Sequence, residues 1–288
     1  MVYTVRAEDG SVEAEVVPAL GAVVSSLRLP GAGGLRECLF RHAHFWDPAT
    51  ERTRGGIPVL FPVCGRLERD GVAGCYLYAG TRYTLPIHGF GMRLPWEVVR
   101  HEAAALTVAL RDSPLTKGQY PFAFEIVLTF RAVAGQLLIE QDYRNPGTVA
   151  APYYAGFHPY FLTPPAGQGK EAVQIRFEAV ARYRYNSRLT DVVGRGAPPR
   201  LPTSITDPEL HECLCEVGPA AEVRLDYPDG SVLHMQATGL RDPALFRFLQ
   251  LYSLPEEPFF CAEPWMAFPN AMNSVQGCRW LAPGDAEQ

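Results

Sequence analysis

Two titratable side chains stand where plain core strands rarely place them. Glu263 ends an apolar run and is followed by the rigid pair Pro264-Trp265, in the segment CAEPWMAFPNAMN (261–273). A carboxylate is costly to bury unless it is paired, and loss of water lifts its pKa towards the range a general base needs. His158 is one imidazole among five aromatic rings in YYAGFHPYF (153–161). That grouping suits a platform on which the CH faces of a sugar rest. Taken singly, the Glu263 segment serves structure as well as chemistry, and the His158 segment also reads as an aromatic core strand.

Two further segments carry polar groups on a stiffened backbone. RGGIPVLFPVCGR (54–66) has paired glycines and two prolines, which allow close approach to a ligand. Its end residues, Arg54 and Arg66, offer forked donors for hydroxyls, carboxylates or phosphates. PIHGFGMRLPW (86–96) wedges His88 beside glycines and an aromatic ring, although an isolated histidine is as readily a structural hydrogen-bonder. Neither segment has the GxxxxGK[ST] spacing of a phosphate-cradling loop. HExxH is absent and His42-x-His44 lacks a third partner, so no metal is expected. GxSxG is missing as well. A glycosidase needs two opposed carboxylates, and Glu263 has no companion in comparably unusual surroundings.

A net charge of −5 over 288 residues excludes a chain built to wrap nucleic acid or anionic lipid. No run of about 18 apolar residues is present to cross a membrane. The acidic start, MVYTVRAEDG, lacks the basic-then-apolar order of a signal peptide, which predicts a cytoplasmic protein. Seven cysteines without a CxxC pair read as reduced thiols, with Cys213 and Cys215 on one face of a strand.

The elements that must hold these groups are strands. With 26 glycines and 26 prolines, turn formers exceed their usual share of about 12%. Short apolar runs at 2–6, 12–17, 96–99, 106–110, 122–130, 137–143, 173–177, 222–227, 232–236, 246–252 and 259–263 carry strand patterning, and no window of twelve or more residues has helical period. Asp9-Gly10 and Pro228-Asp229-Gly230 mark turns. Stretches 41–54 and 188–209 lack periodicity and read as long loops that shape specificity. One large antiparallel all-β domain over 1–288, with stacked sheets, is expected.

Taken in order, RGGIPVLFPVCGR, HGF with Trp96 eight residues after His88, YPF (120–122), GFHPYF (156–161), CAEPWMAFPNAMN and APG (282–284) resemble the aldose 1-epimerase (galactose mutarotase-like) family. Each piece is short, but the ordered set spans nearly the whole chain. The resemblance implies an antiparallel β-supersandwich that interconverts the α and β anomers of an aldose. A small-molecule sugar is the implied partner, and no cofactor is implied. Glu263 matches the family's general base and His158 its general acid. Arg66 and His88 match positions that bind substrate hydroxyls, with Arg54 and Trp265 as further sugar contacts. A sugar-binding aspartate is also implied between GFHPYF and the Glu263 segment, with Asp207 the candidate and Asp191 the alternative.

Arg54 before Gly-Gly-Ile-Pro is similar to the branch that contains hexose-6-phosphate mutarotases. Relatives there often read HGFAR, whereas Met92 occupies that arginine's place here and Arg93 follows one step later. In a strand, one step turns a side chain to the opposite face, so a free aldose is the expected substrate and a hexose 6-phosphate the second. From a different class, a non-catalytic carbohydrate-binding protein on the same scaffold stays open. Keeping both an acid and a base argues against it, because a binder needs only hydrogen-bonders.

Overall fold

Strict alternation is plainest at Glu125–Val133, where every second residue is buried and each one between is half-exposed. Such a strand presents one apolar face to a core. It lies in the middle of a five-stranded antiparallel sheet, ordered Glu97–His101, Ala105–Arg111, Glu125–Val133, Gln136–Arg144 and Ala286–Glu287. Tyr3–Arg6 and Glu13–Val17 pair across the Asp9-Gly10 turn as expected, and Val23–Gly31 and Gly34–Glu37 extend that hairpin to four strands. A third sheet joins Thr203–Ser204, Gln174–Phe177, Val223–Asp226 and Val232–Met235. The computed structural model describes residues 1–31, 33–47 and 54–288, so residues 48–53 of the expected 41–54 loop lie outside the described residues.

The largest sheet has eight strands. Its path runs Val192–Gly196, Ala179–Tyr185, Cys213–Val217, Phe248–Tyr252, Phe259–Trp265, Gly156–Phe157 and Val59–Leu60, with Tyr160–Leu162 also paired to Phe259–Trp265. Here the loop expectation for 188–209 is corrected: Val192–Gly196 is an edge strand against Ala179–Tyr185, and Thr203–Ser204 pairs with Gln174 and Ile175. Glycines at 194 and 196 hide the two-residue period, and an edge strand is held by backbone hydrogen bonds that need no apolar pattern.

Among the described residues the α-helices are the single turns Pro114–Lys117 and Ala271–Ser274, and no helix is long and apolar enough to cross a membrane. One apolar core touches all four large sheets, through Val5, Leu128, Ile175 and Leu249 for example. Phe61, Phe90, Tyr120, Phe124, Tyr143 and Tyr153 interlock within it, and such ring pairs contribute about 0.5–1.5 kcal/mol each beyond burial. All seven cysteines are free thiols, and the Cys213 and Cys215 sulfurs lie 3.7 Å apart, as a shared strand face requires.

Gly89 shows how closely the backbone segments approach. It sits at φ 70°, and a β-carbon there would lie 2.2 Å from the Phe61 carbonyl oxygen. Gly10 has a similar φ of 71° but open space around it. Gly89→Ala is therefore expected to lower stability by about 2–3 kcal/mol, a fall in Tm of roughly 5–10 °C by calorimetry. Gly10→Ala, with only the backbone cost, is expected to lose about 1 kcal/mol.

Candidate active site

Sheet register brings the acid–base residues together. Gly156 pairs with Trp265 and Tyr160 with Cys261, so His158 faces Glu263 across the two strands. Pro159 has no N–H to donate, which interrupts the ladder at this point, and the His158 N–H bonds instead to the Pro58 carbonyl at 3.0 Å. On the other flank Glu263 pairs with Gln250, and Gln250 with Leu214. Side chains of register partners share a face. His158, Glu263 and Gln250 thus form one polar row across the largest sheet.

His158 Nε2 lies 3.2 Å from Glu263 Oε1, and the two residues are only 8% and 2% exposed. Trp265 Nε1–H donates to Glu263 Oε2 at 3.1 Å, leaving the other oxygen to the imidazole. The Tyr160 ring stacks under His158 at 4.5 Å and 6°, fixing the imidazole plane. Burial, reinforced by the nearby Glu212 charge, pushes the Glu263 carboxyl well above its ordinary range, against the opposing Trp265 hydrogen bond. Burial pulls the His158 imidazole down to about 3. Loss of water favours the uncharged form of both.

The cleft over this row is lined by Arg54, Arg66, His88, Arg93, Tyr252 and Trp265, among others. The side chains of Arg54 and Arg66 have no hydrogen bond or ion pair among the described residues. His88 sits at φ 62° with its own N–H on the Gly65 carbonyl, while its Nδ1 accepts from the Gly65 N–H at 3.1 Å. Neutral His88 therefore carries its proton on Nε2 and is a donor there. That tautomer decides a second question. Ligand atoms of His88, His158 and Glu263 lie within 4.8 Å of one another, close enough to invite a metal. A neutral imidazole that ligates through Nε2 must carry its proton on Nδ1, where it would oppose the Gly65 N–H. The residues do not fit a metal ion.

Six of the seven candidates from the sequence, Glu263, His158, Arg66, His88, Arg54 and Trp265, line this one cleft. Asp207 does not. Its carboxylate accepts from the Glu209 N–H and the Thr203 hydroxyl, capping the turn Pro208–Leu210. Asp191 is likewise structural, accepting from Asn270 Nδ2 at 2.8 Å. The acidic group that does enter the cleft is Glu212, raised in pKa chiefly by desolvation, which also corrects the expectation that Glu263 has no companion carboxylate. Glu212 accepts from Gln250 Nε2 at 3.1 Å, and Gln250 Oε1 accepts from the Tyr185 hydroxyl at 2.7 Å. The lone polar residue in the apolar run FLQLY was the sequence signal for Gln250.

Two finer expectations also fail. Of the five rings around His158, Tyr160 alone lines the cleft, while Tyr153, Tyr154, Phe157 and Phe161 belong to the core. Met92 and Arg93 lie in a turn, so strand alternation does not apply and both line the cleft. One Arg93 nitrogen, Nη1, donates to the Ile87 and Gly89 carbonyls. A larger concavity, of about 500 Å³ against about 130 Å³ for this cleft, lies by Trp280 and Glu287. Its Arg279, Asp242 and Glu287 neighbourhood is internally ion-paired and offers no acid–base pair.

Comparison with known proteins points one way. The sequence profile of the aldose 1-epimerase family matches residues 2–286. Over 111 residues the chain is 34% identical to the uncharacterized protein YihR of Escherichia coli, a match covering 35% of this chain and 34% of that one. The chain thus spans about a third of the length of that curated relative. The Slr1438 protein of Synechocystis shares the fold with a TM-score of 0.84 at 25% identity, over 99% of this chain and 92% of that one. A galactose mutarotase related enzyme from Lactobacillus acidophilus shares it with a TM-score of 0.80 at 23% identity, over 99% and 94%.

The buried pair sets a pH signature for stability. Glu263, with its pKa raised on folding, contributes stability below the ordinary carboxyl range that is lost as pH rises through the raised value. His158, lowered from 6.5 to about 3, contributes stability present above pH 6.5 that is lost as pH falls towards 3. In a series of melts from pH 4 to pH 8, Glu263→Gln is expected to flatten the loss on the alkaline side. His158→Asn is expected to flatten the loss on the acid side.

Proposed function

The chain belongs to the aldose 1-epimerase family, and we propose that it is an isomerase interconverting the α and β anomers of an aldohexose. The observation that carries this reading is the His158–Glu263 contact: one carboxylate and one imidazole, desolvated and 3.2 Å apart, under a cleft rimmed by donors. In its charge-separated form the pair opens the ring. Glu263 takes the hydrogen of the C1 hydroxyl while His158 gives its proton to the ring oxygen, and the C1–ring-oxygen bond breaks. The open aldehyde turns about C1–C2. Reclosure on the other face returns the proton from Glu263 to O1 and from the ring-forming hydroxyl to His158.

Proton bookkeeping closes without help. While the aldehyde is open the pair is neutral, the state that burial favours, and the cycle ends with the protons where it began. No cofactor is needed, and the sugar is the only partner the chemistry requires. His88 Nε2–H and Arg66 donate to sugar hydroxyls in this reading, which their position on the cleft supports. Glu212, held by Gln250, takes the role of the sugar-binding acid for which Asp207 was the sequence candidate, while Arg54 and Trp265 complete the rim. Because the partner in reach of Glu263 is an imidazole, glycoside hydrolysis is not the favoured reading even with Glu212 present. A cytoplasmic location is part of the same proposal.

A hexose 6-phosphate is the second reading, favoured by the convergence of Arg54, Arg66 and Arg93 on the cleft. Polarimetry on freshly dissolved α-D-glucose and α-D-galactose, with exchange NMR on hexose 6-phosphates, separates the two. Acceleration with free sugars is expected, and acceleration confined to phosphates would move the second reading to the front. Glu263→Gln and His158→Asn are each expected to lower kcat by about 10²- to 10⁴-fold, with sugar binding retained. No acceleration with any of these sugars by folded protein would overturn the enzyme reading in favour of a carbohydrate-binding protein.

A further inference from the structure

Leu189 lines the cleft at φ 57°, a conformation in which a β-carbon crowds the backbone and which glycine and asparagine adopt far more readily. A strained residue persists only where its surroundings over-determine it, and the surroundings here are explicit. Residues 186–191 join the edge strand Val192–Gly196 to its neighbour Ala179–Tyr185. Asn186 ties this tip together: its side-chain oxygen accepts from the Arg188, Thr190 and Asp191 N–H groups, and its Nδ2 donates to Thr190 Oγ1 and Asp191 Oδ2.

The tip is also anchored to the wall of the cleft. Asp191 accepts from Asn270 Nδ2, Asn270 Oδ1 accepts from the Glu68 N–H, and the Asn270 N–H bonds to the Arg66 carbonyl. Arg188 pairs with Glu68 at 2.6 Å. Six side chains are thus arranged so that an apolar residue, where a glycine would be at ease, stands half-buried in the wall of the cleft. Tyr185, at the root of the same hairpin, enters the cleft to bond Gln250.

We infer that Leu189 is a specificity-determining wall: it packs on the apolar CH face of the bound aldose and holds the ring against the His158–Glu263–Gln250 row. An aldose offers hydroxyls around its rim and C–H bonds on its faces. The rim finds donors in Arg66 and His88, and the face needs an apolar surface, which Leu189 supplies with Ile87 and Met92. This deepens the epimerase reading and rests on it for the identity of the ligand.

The test sets binding against stability, because strain and function pull in opposite directions at this residue. Leu189→Gly and Leu189→Asn, both compatible with the backbone, are compared with wild type in anomer-exchange kinetics, melting, and ligand-observed NMR titration with glucose and galactose. The expected result is a rise in KM and in the dissociation constant of about tenfold, kcat within about threefold, and Tm unchanged or raised. A residue that merely packs the hairpin would give a lower Tm with KM unchanged, and that result overturns the proposal. If wild type binds sugar without turnover, the epimerase reading fails while the wall is still judged by the titration. If wild type binds neither sugar, the wall is overturned as well.

Discussion

Desolvation of one carboxylate and one imidazole in contact is the constraint around which this molecule is arranged. In water the pair would separate into ions, and each would be free to exchange its proton. Under 2% and 8% exposure the ions lose their hydration, and burial favours the uncharged form of each. Each neighbour serves that condition. Tyr160 covers one face of the imidazole, and Trp265 donates to the second carboxylate oxygen.

The geometry is set by sheet register rather than by loops. Glu263 and Gln250 come from neighbouring strands, and His158 sits in the short break between two segments paired to the Glu263 strand, so the flanking ladders fix its position. The rim is built differently. Arg54, Arg66, His88 and Glu212 stand at strand ends and turns, several with left-handed backbone at or beside them: His88 at φ 62°, Gly65 at 72° and Glu212 at 49°. The buried polar row thus rests on the sheet, while the polar rim rests on the turns at its margins.

Much of this was legible in the sequence, and for physical reasons. Glu263 and His158 stood out because a charge at the end of an apolar strand and an imidazole among rings both demand a partner, and each proved to be the other's. The antiparallel all-β class followed from alternation, as at residues 125–133, but strands without that period, such as Thr81–Thr84 and Ala179–Tyr185, were not legible. Where the reading failed, a local role had mimicked a functional one. Asp207 lies in the right interval but precedes Pro208, and an aspartate there caps a turn. Glu212, between His211 and Cys213 just before a strand, has no unusual neighbours in the sequence to mark it as a cleft residue. Rings near His158 resembled a sugar platform, yet sequence proximity does not say which face of the backbone each ring takes, and four of them turned inward. The edge strand at 192–196 carries no apolar period, so only its backbone pairing reveals it.

The same strand pairing has a consequence for biosynthesis. The GFHPYF segment at 156–161 leaves the ribosome about 100 residues ahead of Phe259–Trp265, the strand that pairs with it on the Glu263 side. At roughly 5–20 residues per second, that is an interval of some 5–20 s in which an apolar, partly unpaired edge waits in the nascent chain. The central sheet closes late, through contacts of high sequence separation, and such topologies fold slowly and expose themselves to association on the way. The pairing that brings His158 and Glu263 together in the finished protein thus forms only once the last strands of the sheet have been made.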